Sequence, residues 1–144
     1  MMIMEKMNWT NELSIGNINI DNDHKKLIEV YNDLFDLIEL NKNREEFAKI
    51  LSKMTDYVLK HFKKEEFYME EFKYPKLTEH KNYHYDYSYK VAMYNVYLLS
   101  TNSPEPKEIM EFLKKWWTNH ILNIDMEYEN YKKETESDAT YNAF

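Results

Sequence analysis

The sequence predicts an all-α protein: an up-down-up-down antiparallel four-helix bundle with an N-terminal arm. Its 144 residues contain one glycine and three prolines, and so few backbone breakers favour long, uninterrupted helices. Four segments carry apolar residues at the spacing of one helix face. The connections between these segments are short, and short connections make sequential helices antiparallel neighbours. We therefore expect one domain over residues 1–144.

Turn-forming residues separate the four apolar segments. Asn43 and Glu46 have the spacing of a capping box before the second helix. Pro75 forces the residue before it out of helical geometry and so ends that helix. Ser103 fits the N-cap of the fourth helix, with Pro104 at its first position. The expected elements are an arm (about 1–18), helices over about 19–40, 43–73, 76–100 and 104–132, and a polar tail (133–144).

The composition excludes several classes of protein. A net charge of −7 without a basic cluster argues against binding to nucleic acid or to an anionic membrane surface. The absence of cysteine excludes disulfides and thiolate metal sites. The apolar N-terminal stretch is too short for a signal peptide, and no later stretch could span a bilayer. We therefore expect a cytoplasmic protein.

All five histidines fall on the apolar stripes of the predicted helices. In an antiparallel bundle, the starts of the first and third helices lie level with the ends of the second and fourth. The histidines occupy these starts and ends, so we expect them at one level of the core. A single histidine on an apolar face is usually a hydrogen-bonded core residue, but five at one level indicate a metal site. The five are His24, His61, His80, His84 and His120.

Two carboxylates accompany the histidines. Glu65 lies four residues after His61 and shares its helix face. Asp125 lies five residues after His120, which is about 140° around an ideal helix. Asp125 therefore joins the site only if that helix is locally distorted or the metal lies between the two directions. Burying a carboxylate is costly unless it is paired, and no lysine or arginine lies on the stripes, so bound metal is the simplest partner.

The number and type of ligands limit the choice of metal. Seven ligands are too many for one tetrahedral zinc ion, and they suit two six-coordinate ions that share bridging carboxylates. Imidazole together with carboxylate suits iron, among other divalent metals. The Glu-x-x-His pattern of ferritin-like di-iron proteins and the His-Glu-x-x-His pattern of zinc proteases are both absent.

The pattern that is present, a lone histidine followed by HxxxE, HxxxH and HxxxxD, resembles the hemerythrins, in particular the single-domain bacterial ones. The resemblance runs from Trp9 to Tyr128 and covers nearly the whole chain. The stretches that carry it are IDNDHKKL (20–27), HFKKEEFYMEEFKYP (61–75), HKNYH (80–84) and WWTNHILNIDMEY (116–128).

The resemblance implies a non-haem di-iron centre with a defined ligand set. His80, His84 and His120 would hold one iron, His24 and His61 would hold the other, and Glu65 and Asp125 would bridge them together with an oxo or hydroxo group. The two-histidine iron then keeps one open position, where the family binds O2 reversibly. The implied apolar O2 pocket comprises Leu27, Phe62, Trp116, Trp117 and Ile121.

The function implied by the resemblance is reversible O2 binding, as carrier, store or supply, without catalysis. One alternative is an O2 or redox sensor that acts through a separate protein partner. Another is a di-iron enzyme that consumes peroxide or nitric oxide, which would usually need a positioned acid or base. No such group is identified in the sequence.

Two residues depart from the family pattern. Asp23 stands where the family usually has glutamine, and we expect it to be a solvated helix-start residue favoured by the helix dipole. Trp117 stands where the family usually has leucine near the O2 site. We expect its larger ring to act as a lid over the open iron position.

Overall fold

Over its described residues, the chain forms five α-helices and one π-helical turn. The computed structural model describes residues 5–40, 44–98, 100 and 104–142. The helices are α1 (Ile18–Glu39), α2 (Arg44–Glu71), α3 (Leu77–Tyr97), α4 (Pro106–Asn119) and α5 (Met126–Asn142). The π-helical turn, His120–Asp125, joins α4 to α5 without a break, so these three segments form the fourth rod of the bundle. Helix α1 packs on α2 and α4, and α2 packs on α3. The expected all-α four-helix bundle is confirmed.

The two ends of the fourth rod differ from the expected bounds. Helix α4 begins at Pro106, two residues later than expected, with Glu105 as its N-cap. The helical part of this rod extends beyond the expected end at residue 132, because helix α5 continues to Asn142. This segment contains neither glycine nor proline, and Lys132 pairs with Glu136 one turn later at 3.6 Å. The expected cap residues Asn43 and Ser103 lie outside the described residues.

The arm fixes the start of α1. The side chain of Asn17 caps the helix by accepting the backbone N–H groups of Asn19 and Ile20. One turn into the helix, the Asp21 carboxylate accepts the backbone N–H of Ile15 at 3.0 Å. Ile15 itself is buried in the core. These contacts set the position of the first turns of α1, where the first expected ligand lies.

The connection between α2 and α3 is a tight helix stop. The backbone N–H of Tyr74 donates to the Met69 carbonyl at 3.0 Å, and that of Lys73 donates to the Glu70 carbonyl at 3.1 Å. This pair of hydrogen bonds is a Schellman motif, which requires a left-handed residue after the helix. Lys73 occupies that position with φ of 55°. The stop therefore precedes Pro75 and fixes how the second and third helices are aligned.

Apolar side chains from all four rods fill the interior. The fully buried residues include Leu34, Leu51, Val91 and Leu113, one from each rod. In the part of the chain that the structure describes, no helix is both long and apolar enough to cross a membrane.

Replacing Lys73 with glycine should stabilise the fold. A residue with a Cβ atom is strained in the left-handed region, whereas glycine is not, although glycine loses more entropy on folding. We expect a net gain of about 0.5–1 kcal/mol in the free energy of unfolding. Lys73→Ala is the matched control, because it removes the exposed side chain but keeps the Cβ atom. Urea unfolding should show Lys73→Gly above the parent and Lys73→Ala at its level, and equal gains in both variants would contradict the strain.

Candidate metal centre

The structure brings the seven expected ligands together in the interior of the bundle. Each is at most 3% exposed. Helix α1 contributes one, α2 and α3 contribute two each, and the π-helical turn contributes two. In that order they are His24, His61, Glu65, His80, His84, His120 and Asp125. The antiparallel arrangement therefore places them at one level, as the sequence suggested.

The two oxygens of Glu65 face different histidines. Its Oε2 lies 3.0 Å from His61 Nε2 and 3.8 Å from His24 Nε2. Its Oε1 lies 3.3 Å from His80 Nε2 and 3.2 Å from His84 Nε2. The carboxylate therefore lies between two groups of imidazoles.

Asp125 divides the histidines in the same way. Its Oδ2 lies 3.1 Å from His24 Nε2. Its Oδ1 lies 3.1 Å from His120 Nε2 and 3.2 Å from His80 Nε2. Two sets result, which we call the two-histidine set (His24 and His61) and the three-histidine set (His80, His84 and His120). Each carboxylate presents one oxygen to each set.

The π-helical turn explains how Asp125 reaches the site. The backbone N–H of Met126 donates to the carbonyl of Ile121, five residues earlier, as the wider π turn requires. Residues five apart then lie on nearly the same face, so His120 and Asp125 both point inward. Of the two possibilities that the spacing left open, local distortion of the helix is the one that the structure contains.

Several buried polar atoms at the site have no hydrogen-bond partner among the described residues, and they indicate whether metal fits there. They include the Nε2 atoms of all five histidines and both carboxylate oxygens of Glu65 and of Asp125. Leaving a buried polar atom without a partner costs about 1–3 kcal/mol, and more for a charged group. The three-histidine nitrogens lie close enough to Glu65 and Asp125 oxygens to bind one ion, and the two-histidine nitrogens lie equally close to Glu65. The donor atoms therefore fit bound metal, and the cluster is a metal-binding site.

The ionisable ligands affect one another strongly. Burial by itself lowers the pKa of His61, but the carboxylates of Glu65 and Asp23 outweigh it and raise that pKa to about 10. Burial also lowers the pKa of His80, and the two bridging carboxylates raise it to about 9. Burial raises the pKa of Glu65, but the surrounding histidines hold it well below its usual value. Without metal, protons on the imidazoles therefore balance the buried carboxylates.

Asp23 is in contact with a ligand, so the expectation of a solvated helix-start residue is wrong. Its Oδ2 lies 3.0 Å from His61 Nδ1 and accepts a hydrogen bond from Lys64 Nζ at 3.0 Å. The hydroxyl of Tyr57 donates to its other oxygen at 3.4 Å. Burial raises the pKa of Asp23, but His61 and Lys64 lower it to about 2. Asp23 is therefore an ionised partner on the outer nitrogen of a ligand.

Glu66 plays the same part in the three-histidine set, and the sequence analysis missed it. Its Oε2 lies 2.8 Å from His84 Nδ1. Glu66 directly follows the ligand Glu65, yet sequence adjacency alone does not indicate which neighbouring helix its side chain reaches. A carboxylate on the outer nitrogen fixes the orientation of a metal-binding imidazole and raises its basicity.

The five residues expected around an O2 site do not all lie together. An apolar cavity of about 10 Å³ lies beside His24, which is roughly the space of one water-sized molecule. Leu27, Trp117 and Ile121 line it. The complete lining is Met7, His24, Leu27, Ile28, Tyr31, Met54, Trp117 and Ile121.

Phe62 and Trp116 do not line this cavity and instead stack on ligands of the three-histidine set. The Phe62 ring lies 3.8 Å from that of His84 at an interplanar angle of 5°. The Trp116 ring lies 4.2 Å from that of His120 at 14°. Both side chains share the inward-facing stripe with the ligands, but their rotamers turn them toward the imidazoles.

Trp117 is held firmly beside the two-histidine set. Its ring centre lies 6.2 Å from that of His24 and 6.3 Å from that of His61. The indole is buried, and its N–H donates to the hydroxyl of Tyr87 at 3.0 Å. Tyr87 follows His84 by three residues, so its spacing placed it on the ligand face, although the sequence analysis did not identify this role.

The hydroxyl of Tyr128 is a further buried group that the sequence analysis missed. Among the described residues it has no hydrogen-bond partner, and the Tyr128 ring lies 5.5 Å from that of His80. Tyr128 follows Asp125 by three residues, and this spacing was the signal that could have placed it near the site.

Comparison with known proteins identifies relatives that are 30–32% identical over most of this chain. The bacteriohemerythrin of Clostridium acetobutylicum is 31% identical over 83% of this chain and 96% of its own length. The bacteriohemerythrin of Pseudomonas aeruginosa is 32% identical over 87% of this chain and 80% of its own length. A hemerythrin-like protein of Naegleria gruberi is 30% identical over 88% of this chain and 94% of its own length.

The fold and a family model agree with these relatives. A crystal structure of a leucine-to-phenylalanine mutant matches with a TM-score of 0.81 and 29% identity, covering 88% of this chain and 97% of that one. The model of the hemerythrin HHE cation-binding domain matches residues 16–131. The chain therefore belongs to the hemerythrin family.

Proposed function

We propose that this chain holds two iron ions between Glu65 and Asp125 and binds O2 reversibly at one of them. The observation that carries the proposal is how the carboxylate oxygens are divided between the two histidine sets. Each carboxylate presents one oxygen to the two-histidine set and the other to the three-histidine set. Two carboxylates placed in this way suit a pair of ions that they bridge. Imidazole and carboxylate donors together suit iron.

The two sets offer unequal numbers of donors. The two-histidine set supplies two nitrogens and two bridging oxygens, and the three-histidine set supplies three nitrogens and two bridging oxygens. With one further shared oxygen bridge, a six-coordinate ion would be complete in the three-histidine set and would lack one ligand in the other. Two ferrous ions would supply the electrons that reversible O2 binding draws on.

The cavity beside His24 suits a small apolar gas. Among the described residues that line it, only His24 and Tyr31 carry ionisable groups. The Tyr31 hydroxyl donates to the backbone carbonyl of Glu5 at 3.3 Å, and burial raises the pKa of Tyr31 to about 12. With His24 bound to metal, this apolar lining would offer no free acid or base near neutral pH. It supports gas binding without catalysis, a step that carriage, storage, supply and sensing would share.

Iron binding beside the buried carboxylates should be coupled to the loss of protons from the histidines. Imidazole binds metal only in its neutral form, so metal uptake must displace the protons that His61 and His80 carry near neutral pH. The incoming cations then replace these protons as the partners of Glu65 and Asp125.

Anaerobic loading with ferrous iron tests the proposed function. We expect about two irons per chain, and a visible spectrum that develops when O2 is added and disappears when O2 is removed. Metal analysis and repeated oxygenation cycles provide the measurement. One ion per chain, a preference for zinc, or irreversible oxidation in the first cycle would refute reversible O2 binding at a di-iron site.

Iron uptake should release protons, and the metal-free protein should become less stable against unfolding in alkaline solution. The pKa of His61 is raised from 6.5 to about 10 and that of His80 from 6.5 to about 9 in the folded protein. Their stabilising effect is therefore complete below pH 6.5 and is lost as pH rises through 9 to 10. Thermal unfolding should show this loss in the metal-free protein but not in the iron-loaded one. A pH indicator should detect proton release on loading at neutral pH, of at least about two protons per chain from His61 and His80, and release of none would contradict this balance.

Shortening Trp117 should speed irreversible oxidation in air. Trp117→Ala opens a cavity beside the two-histidine set, admits water, and should destabilise the fold by about 3–5 kcal/mol. Trp117→Leu restores part of the packing and should show an intermediate rate. Reversible O2 uptake is followed over time at fixed pH, with folding checked by circular dichroism.

Trp116→Leu is the control for this comparison. It removes an equally large ring, but from the three-histidine side of the site. It should therefore accelerate oxidation less than Trp117→Leu. If the folded Trp117 variants oxidise no faster than the parent, Trp117 is ordinary core and does not act as a lid.

A further inference from the structure

We propose that Asp23 and Lys64 form a charge pair that tunes the metal ion of the two-histidine set through His61. In this arrangement, the Asp23 carboxylate favours the ferric state of that ion, and the Lys64 ammonium opposes this effect. The inference rests on the proposed function, because it assigns a regulating pair to the same site.

A single oxygen atom of Asp23 contacts both the buried ligand His61 and the surface residue Lys64. Asp23 Oδ2 lies 3.0 Å from His61 Nδ1 and 3.0 Å from Lys64 Nζ. The side chain of His61 is 1% exposed, that of Asp23 is 19% exposed and that of Lys64 is 52% exposed. The charge of a surface lysine therefore acts on a buried ligand through a single oxygen atom.

The hydrogen bond acts on the metal-binding nitrogen of the same ring. When Nδ1 donates to a carboxylate, Nε2 keeps its lone pair directed toward Glu65 and the site. The negative charge also makes the imidazole a more basic ligand, and a more basic ligand stabilises the ferric state relative to the ferrous state. The lysine draws on the same carboxylate oxygen and weakens this effect.

Asp23 has no counterpart on the other histidine of its set. The Nδ1 of His24 is buried and has no hydrogen-bond partner in the part of the chain that the structure describes. In the three-histidine set, Glu66 takes the corresponding place on His84. Within the described ranges, no lysine or arginine pairs with Glu66, so the two ions would have differently charged surroundings. The Asp23–Lys64 pair is thus specific to the two-histidine set, beside the apolar cavity.

Single substitutions separate the charge from the packing. Asp23→Asn keeps an acceptor oxygen for His61 but removes the negative charge. Lys64→Gln removes the positive charge that opposes it. Lys63→Gln is the matched control, because Lys63 is an exposed neighbour on the same helix and makes no ion pair with Asp23. Iron per chain, iron affinity and the midpoint potential of the ferric/ferrous couple are measured for the full-length iron-loaded chain of each variant.

Removing the two charges of the pair, one at a time, should shift the midpoint potential in opposite directions. Asp23→Asn should raise the midpoint potential and weaken iron binding by roughly 10–100-fold. Lys64→Gln should lower the midpoint potential, and Lys63→Gln should leave it close to that of the parent. A purely structural role would loosen the site in both Asp23→Asn and Lys64→Gln and would not produce opposite signs.

Several results would overturn the inference. These are shifts of the same sign in Asp23→Asn and Lys64→Gln, no shift in Asp23→Asn, or an equal shift in Lys64→Gln and Lys63→Gln. If Asp23→Asn loses its iron, the two lysine variants still decide the outcome. A parent chain that holds fewer than two irons overturns the proposed function and this inference together. A two-iron parent whose potential is insensitive to Asp23 overturns the inference alone.

Discussion

Two carboxylates, Glu65 and Asp125, are completely buried between five histidines, and the rest of the structure is arranged around the balance of their charge. Among the described residues, no lysine or arginine reaches either of them, so only metal ions or protons on the imidazoles can provide the balance. This requirement accounts for the convergence of four rods on one level. It also accounts for the π-helical turn, since a regular helix would direct Asp125 away from His120.

The two histidine sets have different surroundings. The two-histidine set borders an apolar cavity and the indole of Trp117, and its outer charge partner is Asp23 with Lys64. The three-histidine set is covered by aromatic rings stacked on its imidazoles and has Glu66 as its outer partner. The site with fewer protein donors is therefore also the one with space beside it. In the di-iron site that we propose, this asymmetry would leave space for a small ligand beside one ion only.

The sequence predicted the fold and the inward-facing ligands because both follow from spacing along a helix. The scarcity of glycine and proline and the apolar stripes indicate helices, and the five-residue step from His120 to Asp125 indicated that the helix could be distorted there. Contacts between helices could not be predicted in this way, because they depend on how each helix is rotated against its neighbour. Asp23 was expected to face solvent, yet the packing of α1 on α2 turns it toward His61. The stacking of Phe62 and Trp116 depends on rotamers, which spacing does not determine.

Anomalous diffraction from crystals of the iron-loaded protein, measured at the iron absorption edge, tests most directly whether Glu65 and Asp125 bridge two ions. We expect two anomalous peaks per chain, one beside His24 and His61 and the other among the three remaining histidines. Each carboxylate should bind one ion through each of its oxygens. A single peak, or a carboxylate that binds one ion through both of its oxygens, would contradict a bridged pair.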